Sequence, residues 1–276
     1  MRAQIEANGI RHHVAVAGPP EGPVILLVHG LGWDHSLWRG QIERLSEIGW
    51  LVVAPDLRGM GASDKPDMPC SIALYADDML AVMTALGISR FALAGFSLGG
   101  IIAAAMIGKA PERVAAGLIA CCTVHATAAG EAGTEAMLAR AARLGPLAFA
   151  REQAAAIWHP DFVAAHPDAV ERFVAWRAAM DQAALTRAFR SGYGIDYRAE
   201  LAAATMPIRF VAADRDPFAS VAAMAELARM TPGSDLVVIG ASGHMAPIEQ
   251  PAAFDEALVG FLATSREALS KPVASD

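Results

Sequence analysis

Short blocks of consecutive apolar residues recur along the chain and predict buried β-strands. A block that is apolar at every position, instead of at alternate positions, is typical of a strand covered on both faces. The predicted strands are residues 24–28, 50–54, 91–94, 118–121, 208–212 and 236–239. An earlier and more polar strand contains His12 and His13, which we expect to lie at the surface.

Apolar residues at helical spacing occupy most of the segments between these blocks. The clearest pattern follows Ser71, where Tyr75, Met79 and Val82 recur at helical spacing and Gly87 ends the helix. The other predicted helices are residues 39–47, 98–109, 221–230 and 252–264. Because strands alternate with helices, we predict an α/β fold with a mostly parallel, doubly wound sheet.

One long segment departs from this alternation. About 80 residues between Cys122 and Pro207 contain no predicted strand, and a structureless loop of that length is uncommon in a compact domain. Helical patterns occur instead at residues 135–144, 147–158, 167–180 and 182–189. We therefore predict a helical cap at residues 123–204, inserted into a core domain of residues 1–122 and 205–264. A polar tail follows at residues 265–276.

Composition and charge exclude several classes of protein. The 276 residues are 54% apolar and 18% charged, which is too apolar for a disordered chain. The net charge is −7 and no run of Lys or Arg occurs, which argues against a nucleic-acid or anionic-membrane partner. The uncharged segment 91–108 is interrupted by Gly95, Gly99 and Gly100. These glycines favour a buried strand followed by a buried helix over a membrane span.

The three cysteines favour a reducing compartment. Cys70, Cys121 and Cys122 are odd in number and two are sequence neighbours, so we expect reduced, buried thiols and not a disulfide framework. They show no metal-ligand spacing, and we expect no metal ion. The first residues lack the apolar stretch of a signal peptide. These features predict a cytoplasmic protein.

A candidate nucleophile lies where a predicted strand ends and a predicted helix begins. The segment reads Gly95-Phe96-Ser97-Leu98-Gly99. A serine at such a junction occupies a tight turn, its small neighbours let strand and helix approach, and its hydroxyl projects from the sheet edge. A serine hydroxyl is a poor nucleophile unless a base takes its proton. Ser97 therefore needs a histidine nearby.

His244 is the strongest candidate for that base. It follows the last predicted strand and precedes the last helix, which places it at the carboxyl edge of the sheet, where open α/β sheets bind ligands. The base must be oriented by an acid. Asp214 and Asp216 both follow the strand at residues 208–212, at the same edge, and the residues alone leave both open.

Main-chain amides near Ser97 could hold the negative charge that develops on a carbonyl oxygen under attack. The amide of Leu98 begins a helix, where the helix dipole also favours negative charge. The second amide should come from the loop His29-Gly30-Leu31-Gly32-Trp33, and we choose Leu31, with Gly32 as the alternative. His29 is interpreted as a structural histidine of this loop. Three further histidines lie in or near the cap and could line a pocket: His125, His159 and His166.

Four motifs resemble those of the α/β-hydrolase superfamily and occur in its usual order. They read HGLG at residues 29–32, DLRGMGAS at 56–63, GFSLGG at 95–100 and GHMAPIEQP at 243–251. The resemblance implies the order nucleophile, acid, base for Ser97, Asp216 and His244, and it selects Asp216 over Asp214. It also implies that Asp56 and Arg58 stabilise a loop. A serine nucleophile argues against the haloalkane dehalogenase and epoxide hydrolase branches, which use aspartate at that position.

Within this superfamily the chain is similar to 3-oxoadipate enol-lactonases and related carboxylesterases. The likeness rests on IWHPDF at residues 157–162, PERV at 111–114 and EQP at 249–251. It implies a cofactor-free serine hydrolase of a small ester or lactone, with Trp158, Phe162 and Gly32 beside the substrate. Trp158 is equally well explained as a residue that only packs the cap. If the substrate were a dicarboxylate, a cation should face the cavity, and the candidates are Arg151, Arg177 and Arg187.

Three other functions remain open from the sequence. The same three residues could cleave carbon–carbon bonds, although Leu98 and Met245 stand where we expect Met and often Trp in the meta-cleavage C–C hydrolases. They could also catalyse perhydrolysis, detectable as peroxide-dependent halogenation. A ligand-binding receptor of the same fold is the third alternative, and the presence of all three residues argues against it.

Overall fold

The computed structural model describes residues 2–265, and within this range the strands form one eight-stranded sheet. The strands are β1 (Arg2–Ala7), β2 (Ile10–Ala17), β3 (Val24–Val28), β4 (Leu51–Pro55), β5 (Phe91–Phe96), β6 (Val114–Ala120), β7 (Ile208–Ala213) and β8 (Asp235–Ile239). Their order across the sheet is β1-β2-β4-β3-β5-β6-β7-β8. β2 pairs antiparallel with β1 and β4, and the other neighbouring pairs are parallel. The predicted α/β fold is therefore confirmed.

Helices connect the strands, and several begin at a residue whose side chain caps the first turn. They are α1 (Arg39–Glu47), α2 (Ile72–Ala85), α3 (Leu98–Lys109), α4 (Ala128–Leu144), α5 (Pro146–Ile157), α6 (Pro160–Ala165), α7 (Pro167–Ala178), α8 (Gln182–Arg190), α9 (Arg198–Ala202), α10 (Val221–Met230), α11 (Ala246–Glu249) and α12 (Pro251–Thr264). A 3₁₀ turn spans His35–Trp38. The hydroxyl of Ser71 accepts a hydrogen bond from the amide of Leu74 at 3.1 Å, which confirms the predicted start of α2.

Both faces of the central strands are buried, which explains why their sequences are continuously apolar. In β3, Leu26 and Val28 belong to one hydrophobic core, whereas Ile25 and Leu27 belong to the other. Helices α2, α3 and α10 contribute to the first core. Helices α1 and α12 contribute to the second. The sheet therefore lies between two helical layers, as a doubly wound arrangement requires.

Strand β6 is longer than its apolar pattern predicts. It begins at Val114 instead of residue 118, and all of its residues are buried. The small residues Ala115, Ala116 and Gly117 weaken the apolar signal at its start, although all three are buried in the sheet. Short helices α6, α9 and α11 were not predicted, because a few residues do not establish a helical period.

The prediction that His12 lies at the surface is wrong. His12 is fully buried on the inner face of β2, together with Ile10 and Val14, while Arg11 between them is exposed. Residues two apart in a strand share a face, so the apolar residues Ile10 and Val14 on either side of His12 could have predicted its burial. Burial lowers the pKa of His12, and its Nε2 lies 3.9 Å from a carboxylate oxygen of Asp78.

Helices α4 to α9 lie between β6 and β7, in the segment predicted as the cap, and we call residues 123–204 the insertion. Helices α5 and α7 pack against each other and bury Ala154, Phe173 and Val174 in the second core. No helix among residues 2–265 is both long and apolar enough to cross a bilayer. Ser265 is buried at the end of α12, and the rest of the predicted tail, residues 266–276, lies outside the described residues.

The cysteines are free thiols, as predicted, but they differ in burial. Cys121 and Cys122 are buried directly after β6. Cys70 is only partly buried, because it lies in the loop that precedes α2.

A buried ion pair joins the loop after β4 to helix α2. Arg58 Nε donates to Asp78 Oδ2 at 2.8 Å and Nη2 donates to Asp78 Oδ1 at 2.6 Å. The side chains are 4% and 0% exposed, and Asn8 donates a further hydrogen bond to Asp78 at 2.7 Å. The resemblance assigned Arg58 to loop structure, and these contacts agree with that interpretation.

We predict that Arg58→Met destabilises the protein strongly. Removing one partner of a buried pair leaves the other charge uncompensated, so the free energy of unfolding should fall by about 3 kcal/mol. Urea unfolding followed by circular dichroism measures this change. The matched control is Arg11→Met, which removes an exposed Arg–Asp pair with side chains 63% and 38% exposed. Equal losses in the two variants would contradict the prediction.

Candidate active site

The hydroxyl of Ser97 lies at a sharp turn between β5 and α3. Ser97 has φ 53° and ψ −118°, a conformation that is uncommon for a residue with a side chain. Glycines on both sides make this turn feasible. A Cβ on Gly95 would lie 2.1 Å from the Gly99 carbonyl oxygen, and a Cβ on Gly99 would lie 2.1 Å from that of Val28. The glycines of the motif therefore allow a contact between strand and helix that any side chain would prevent.

His244 connects Ser97 to Asp216. Its Nε2 lies 2.9 Å from Ser97 Oγ, and its Nδ1 lies 2.9 Å from Asp216 Oδ2. An ionised carboxylate only accepts hydrogen bonds, so Nδ1 carries the proton and donates to Asp216. Nε2 is then left to accept the hydroxyl hydrogen of Ser97. This geometry suits transfer of a proton from Ser97 to His244.

The two aspartates after β7 have different partners. Asp216 Oδ2 accepts from His244, while Oδ1 accepts from the amides of Phe218 and Ala219 at 2.8 and 3.2 Å. Asp214 Oδ1 instead accepts from the amide of Ser242 at 3.0 Å. Asp216 is therefore the carboxylate in contact with the imidazole, and Asp214 fastens the loop that carries His244.

Glu249 holds the main chain on both sides of His244. Its buried carboxylate accepts hydrogen bonds from the amides of Gly243 at 3.1 Å and Met245 at 2.9 Å. It also accepts from the amide of His159 in the insertion at 2.7 Å. The amide of His244 itself donates to the carbonyl oxygen of Ile157 at 2.7 Å. The insertion and Glu249 together fix the position of the imidazole, a role that the sequence analysis did not assign.

A cavity of about 280 Å³ opens above Ser97 and His244. Core and insertion residues line it together: Leu31, Trp33, Phe96, Ser97, Leu98, Ile101, Cys121, Cys122, Thr123, Met137, Gln153, Ile157, Phe173, Arg177, Ala188, Phe189, Gly192, Phe218, His244 and Met245. The amides of Leu31 and Leu98 donate no hydrogen bond to another described residue, so both remain available to a ligand oxygen. Their predicted role as oxyanion donors requires this availability.

Three lining residues have clear physical roles that the sequence analysis missed. Burial raises the pKa of Cys121 and of Cys122, so both thiols are neutral and weak nucleophiles near neutral pH. Phe218 is 61% exposed and directs its ring edge-on to the His244 imidazole at 5.0 Å. Phe218 therefore forms an exposed aromatic part of the cavity wall beside the imidazole.

Trp158, Phe162 and Gly32, which were predicted to lie beside the substrate, are outside the lining of this cavity. Trp158 is buried, stacks on Phe162 at 4.9 Å and meets the edge of Phe173, so it packs the insertion. Gly32 is covered by Arg177, since a Cβ on Gly32 would lie 1.6 Å from Arg177 Nη1. None of the three residues borders the cavity.

The histidines left open by the sequence do not reach the cavity either. His125, His159 and His166 are absent from its lining, and His159 caps helix α6. His29 Nε2 accepts the amide of Leu57 at 2.9 Å, and Nδ1 lies 2.8 Å from the Gly30 carbonyl oxygen. The structural role predicted for His29 agrees with these bonds.

Of the three arginines considered for an acidic substrate, only Arg177 borders the cavity. Arg151 pairs with Glu171 at 2.7 Å and Arg187 pairs with Asp67 at 2.8 Å. Both pairs lie outside the lining of the cavity.

One group of described residues has potential metal ligands close together. His13, His35 and Asp56 place one ligand atom each within 4.8 Å of the others. Asp56 already accepts from the His35 amide at 2.8 Å, from His35 Nδ1 at 2.7 Å and from the Ala62 amide at 2.8 Å. Burial raises the pKa of Asp56, but these hydrogen bonds and the nearby His29 together outweigh burial, and the pKa lies below its ordinary value. The cluster is thus explained by loop structure.

The sheet, the turn at Ser97 and the convergence of serine, histidine and aspartate at one edge are typical of the α/β-hydrolase class. The family model of the alpha/beta hydrolase fold matches residues 23–251, and the chain belongs to this family. The resemblance stated from the motifs is therefore confirmed.

The proteins that are similar to this chain match it over different fractions of their own length. Epoxide hydrolase 3 from Siraitia grosvenorii is 40% identical over 114 residues, which is 41% of this chain and only 35% of that protein. The 3-oxoadipate enol-lactonase 2 of Acinetobacter baylyi is 28% identical over 258 residues, covering 92% of this chain and 94% of that protein. The crystal structure of the enol-lactonase from Burkholderia xenovorans LB400 has the same fold, with a TM-score of 0.89 and 24% sequence identity. The match covers 95% of this chain and 100% of that one.

We predict that Glu249→Ala loosens the segment around His244. Removing the carboxylate leaves three amides without their acceptor, so amide hydrogen exchange at Gly243 and Met245 should accelerate by at least about 10-fold. Hydrogen-exchange mass spectrometry measures this rate. Glu256→Ala, an exposed position on α12, is the control. Unchanged exchange at Gly243 and Met245 in Glu249→Ala would show that Glu249 does not hold this segment.

Proposed function

We propose that this protein is a cofactor-free serine hydrolase that cleaves a small carboxylic ester or lactone through an acyl-enzyme. The observation that carries the proposal is the continuous hydrogen-bonded series from Asp216 through His244 to Ser97. A neutral imidazole held by a carboxylate on one side and a serine hydroxyl on the other is the arrangement that activates serine.

The proposed reaction uses five groups of the chain. Ser97 Oγ attacks the carbonyl carbon while His244 Nε2 takes the hydroxyl proton and Asp216 stabilises the resulting imidazolium. The amides of Leu31 and Leu98 bind the oxygen that becomes negative. His244 then gives the proton to the departing alkoxide, which leaves Ser97 acylated. A water molecule then attacks the acyl carbon while His244 takes its proton, and His244 gives that proton to Ser97 Oγ as the acid leaves, which restores the free serine.

The cavity and the relatives support a small ester or lactone. A volume of about 280 Å³ lies near the lower limit of small-molecule sites. The Acinetobacter relative that matches nearly the whole chain is named as an enol-lactonase. The match to the epoxide hydrolase covers 35% of that protein, and Ser97 stands at the nucleophile position, where that branch is expected to use aspartate. The free thiols support a cytoplasmic location as part of the proposal.

We predict that Ser97→Ala abolishes hydrolysis of p-nitrophenyl butyrate. Without the nucleophile no acyl-enzyme forms, so kcat should fall by at least about 10³-fold. Release of p-nitrophenolate, followed by absorbance, measures the rate. Ser46→Ala is the control, because among residues 2–265 the Ser46 hydroxyl bonds only to the Ile42 carbonyl oxygen within α1. Turnover by Ser97→Ala at the wild-type rate would reject the proposed function.

A further inference from the structure

Two aromatic rings contact the imidazole of His244, and they differ in burial. The ring centres of Phe96 and Phe218 lie 5.1 and 5.0 Å from that of the imidazole. Phe96 is 1% exposed, because β5 lies inside the sheet. Phe218 is 61% exposed, more than any other large apolar side chain among residues 2–265. Phe96 therefore supports the imidazole from within the core, whereas most of the Phe218 side chain remains accessible.

The main chain fixes the position of Phe218. The amides of Phe218 and Ala219 donate to Asp216 Oδ1 at 2.8 and 3.2 Å. Pro217, which precedes Phe218, restricts the backbone further, because its ring fixes φ. Asp216 also binds His244 through its other carboxylate oxygen. The exposed ring is therefore attached to the hydrogen-bonded series itself, and a ligand that contacts it does not first have to order a mobile loop.

The cavity wall beside His244 is apolar. Phe96 and Phe218 contact the imidazole, and Met245 is the next residue in the chain. The carbonyl oxygen of Ile157 accepts the amide hydrogen of His244. Phe96, Ile157, Phe218 and Met245 all border the cavity. A group bound against these side chains gains free energy from burial of apolar surface and not from hydrogen bonds to them.

Two hydrogen-bonding side chains of the wall lie near a different loop. Arg177 covers Gly32, in the loop after β3, and its Nε donates to Gln153 Oε1. Across the sheet, β3 lies on one side of β5, and β6 and β7 lie on the other side. Phe218 follows β7, whereas Ser97 follows β5. The order of the strands therefore separates the side chains at the loop after β3 from the apolar wall at Phe218.

The proposed reaction assigns the apolar wall to the alcohol part of an ester. His244 Nε2 takes a proton from Ser97 and gives it to the departing oxygen, so that oxygen must lie beside the imidazole. The carbonyl oxygen is held instead by the amides of Leu31, after β3, and Leu98. Since β3 and β7 are on opposite sides of β5, the carbonyl oxygen points away from Phe218. The departing alcohol lies toward Phe218.

We propose that Phe218 binds the alcohol part of the substrate, so that the natural substrate is an ester whose alcohol carbon carries an apolar ring. The inference rests on the proposed function for the reaction at Ser97. An aromatic side chain offers a large apolar surface, and a second ring can stack on it or meet its edge. The bound alcohol covers the exposed ring of Phe218, and the burial of apolar surface on both partners favours binding.

A matched pair of esters tests this proposal. Benzyl acetate and ethyl acetate have the same acyl group and release primary alcohols, and they differ by a phenyl ring in place of a methyl group. The wild type should prefer benzyl acetate in kcat/KM by at least about 10-fold. In Phe218→Ala this ratio should fall by at least about 5-fold, because the ring loses its aromatic contact. Phe218→Tyr, which keeps the ring, should retain the wild-type ratio.

Ethyl phenylacetate moves the phenyl ring to the acyl part. The ratio of its kcat/KM to that of ethyl acetate should be the same in the wild type and Phe218→Ala, because Phe218 contacts only the alcohol part. If Phe218 served only to hold the imidazole, Phe218→Ala would lower kcat/KM for all three esters by one factor and change neither ratio. Leu147→Ala is the control, since Leu147 is 54% exposed and lies outside the lining of the cavity.

Three results would overturn the proposal. The first is a preference for benzyl acetate that is the same in the wild type and Phe218→Ala. The second is an equal fall in both ratios, because the ring of Phe218 would then not distinguish the alcohol part from the acyl part. The third is a loss of the preference for benzyl acetate in Leu147→Ala as well.

Binding separates this inference from the proposed function. If the wild type hydrolyses none of the three esters, the ester-hydrolase proposal fails, and saturation-transfer NMR with benzyl alcohol still tests Phe218. Benzyl alcohol should bind the wild type at least about 5-fold more tightly than it binds Phe218→Ala. Equal affinity in the two proteins would contradict a binding site for an apolar ring at Phe218.

Discussion

His244 can contact Ser97 and Asp216 at the same time only because three loops end at one edge of the sheet. Strands β5, β7 and β8 run parallel, so the residues that follow them emerge on the same side. The loop after β8 is then held by Asp214, by Glu249 and by the carbonyl oxygen of Ile157. These bonds order the imidazole in the free protein, so the base role proposed for His244 would carry little further entropic cost.

The same constraint explains why the turn at Ser97 is so compact. A serine with positive φ is strained, and the close contacts of Gly95 and Gly99 hold it in place. The adjacent Cys121, after β6, also has positive φ and is fully buried. Two strained residues therefore lie at the carboxyl edge of the sheet. The strands that precede them are buried between two hydrophobic cores, and this packing maintains the strained conformations.

The sequence predicted most of the fold because burial on both faces leaves a continuous apolar signal. Strand β3 and helices α1, α3 and α10 span the predicted residues. Prediction failed where the signal is weak or alternating: β6 starts with small residues, and His12 lies on the inner face of a polar strand. The three residues now joined by hydrogen bonds were named from their positions after predicted strands, and the choice of Asp216 over Asp214 came from the family motifs.

The substrate side of the site was harder to predict than the reacting side. The motifs gave no direction for the helices of the insertion, so Trp158 and Phe162 were placed beside the substrate although they pack against each other. Arg177 was one of three arginines that the sequence offered as a cation facing the cavity. Its spacing from Phe173 could have favoured it, because residues four apart on a helix share a face. Periodicity identifies such a face, but only packing decides whether a cavity lies beneath it.

The central claim is that His244 activates Ser97, and covalent labelling with a fluorophosphonate tests it most directly. This reagent reacts with a serine hydroxyl whose proton a neighbouring base removes. Peptide mass spectrometry should locate the label on Ser97, and the labelling rate should fall by at least about 10³-fold in His244→Ala. Labelling of Ser97 at the same rate without His244, or labelling of a different serine, would contradict the account.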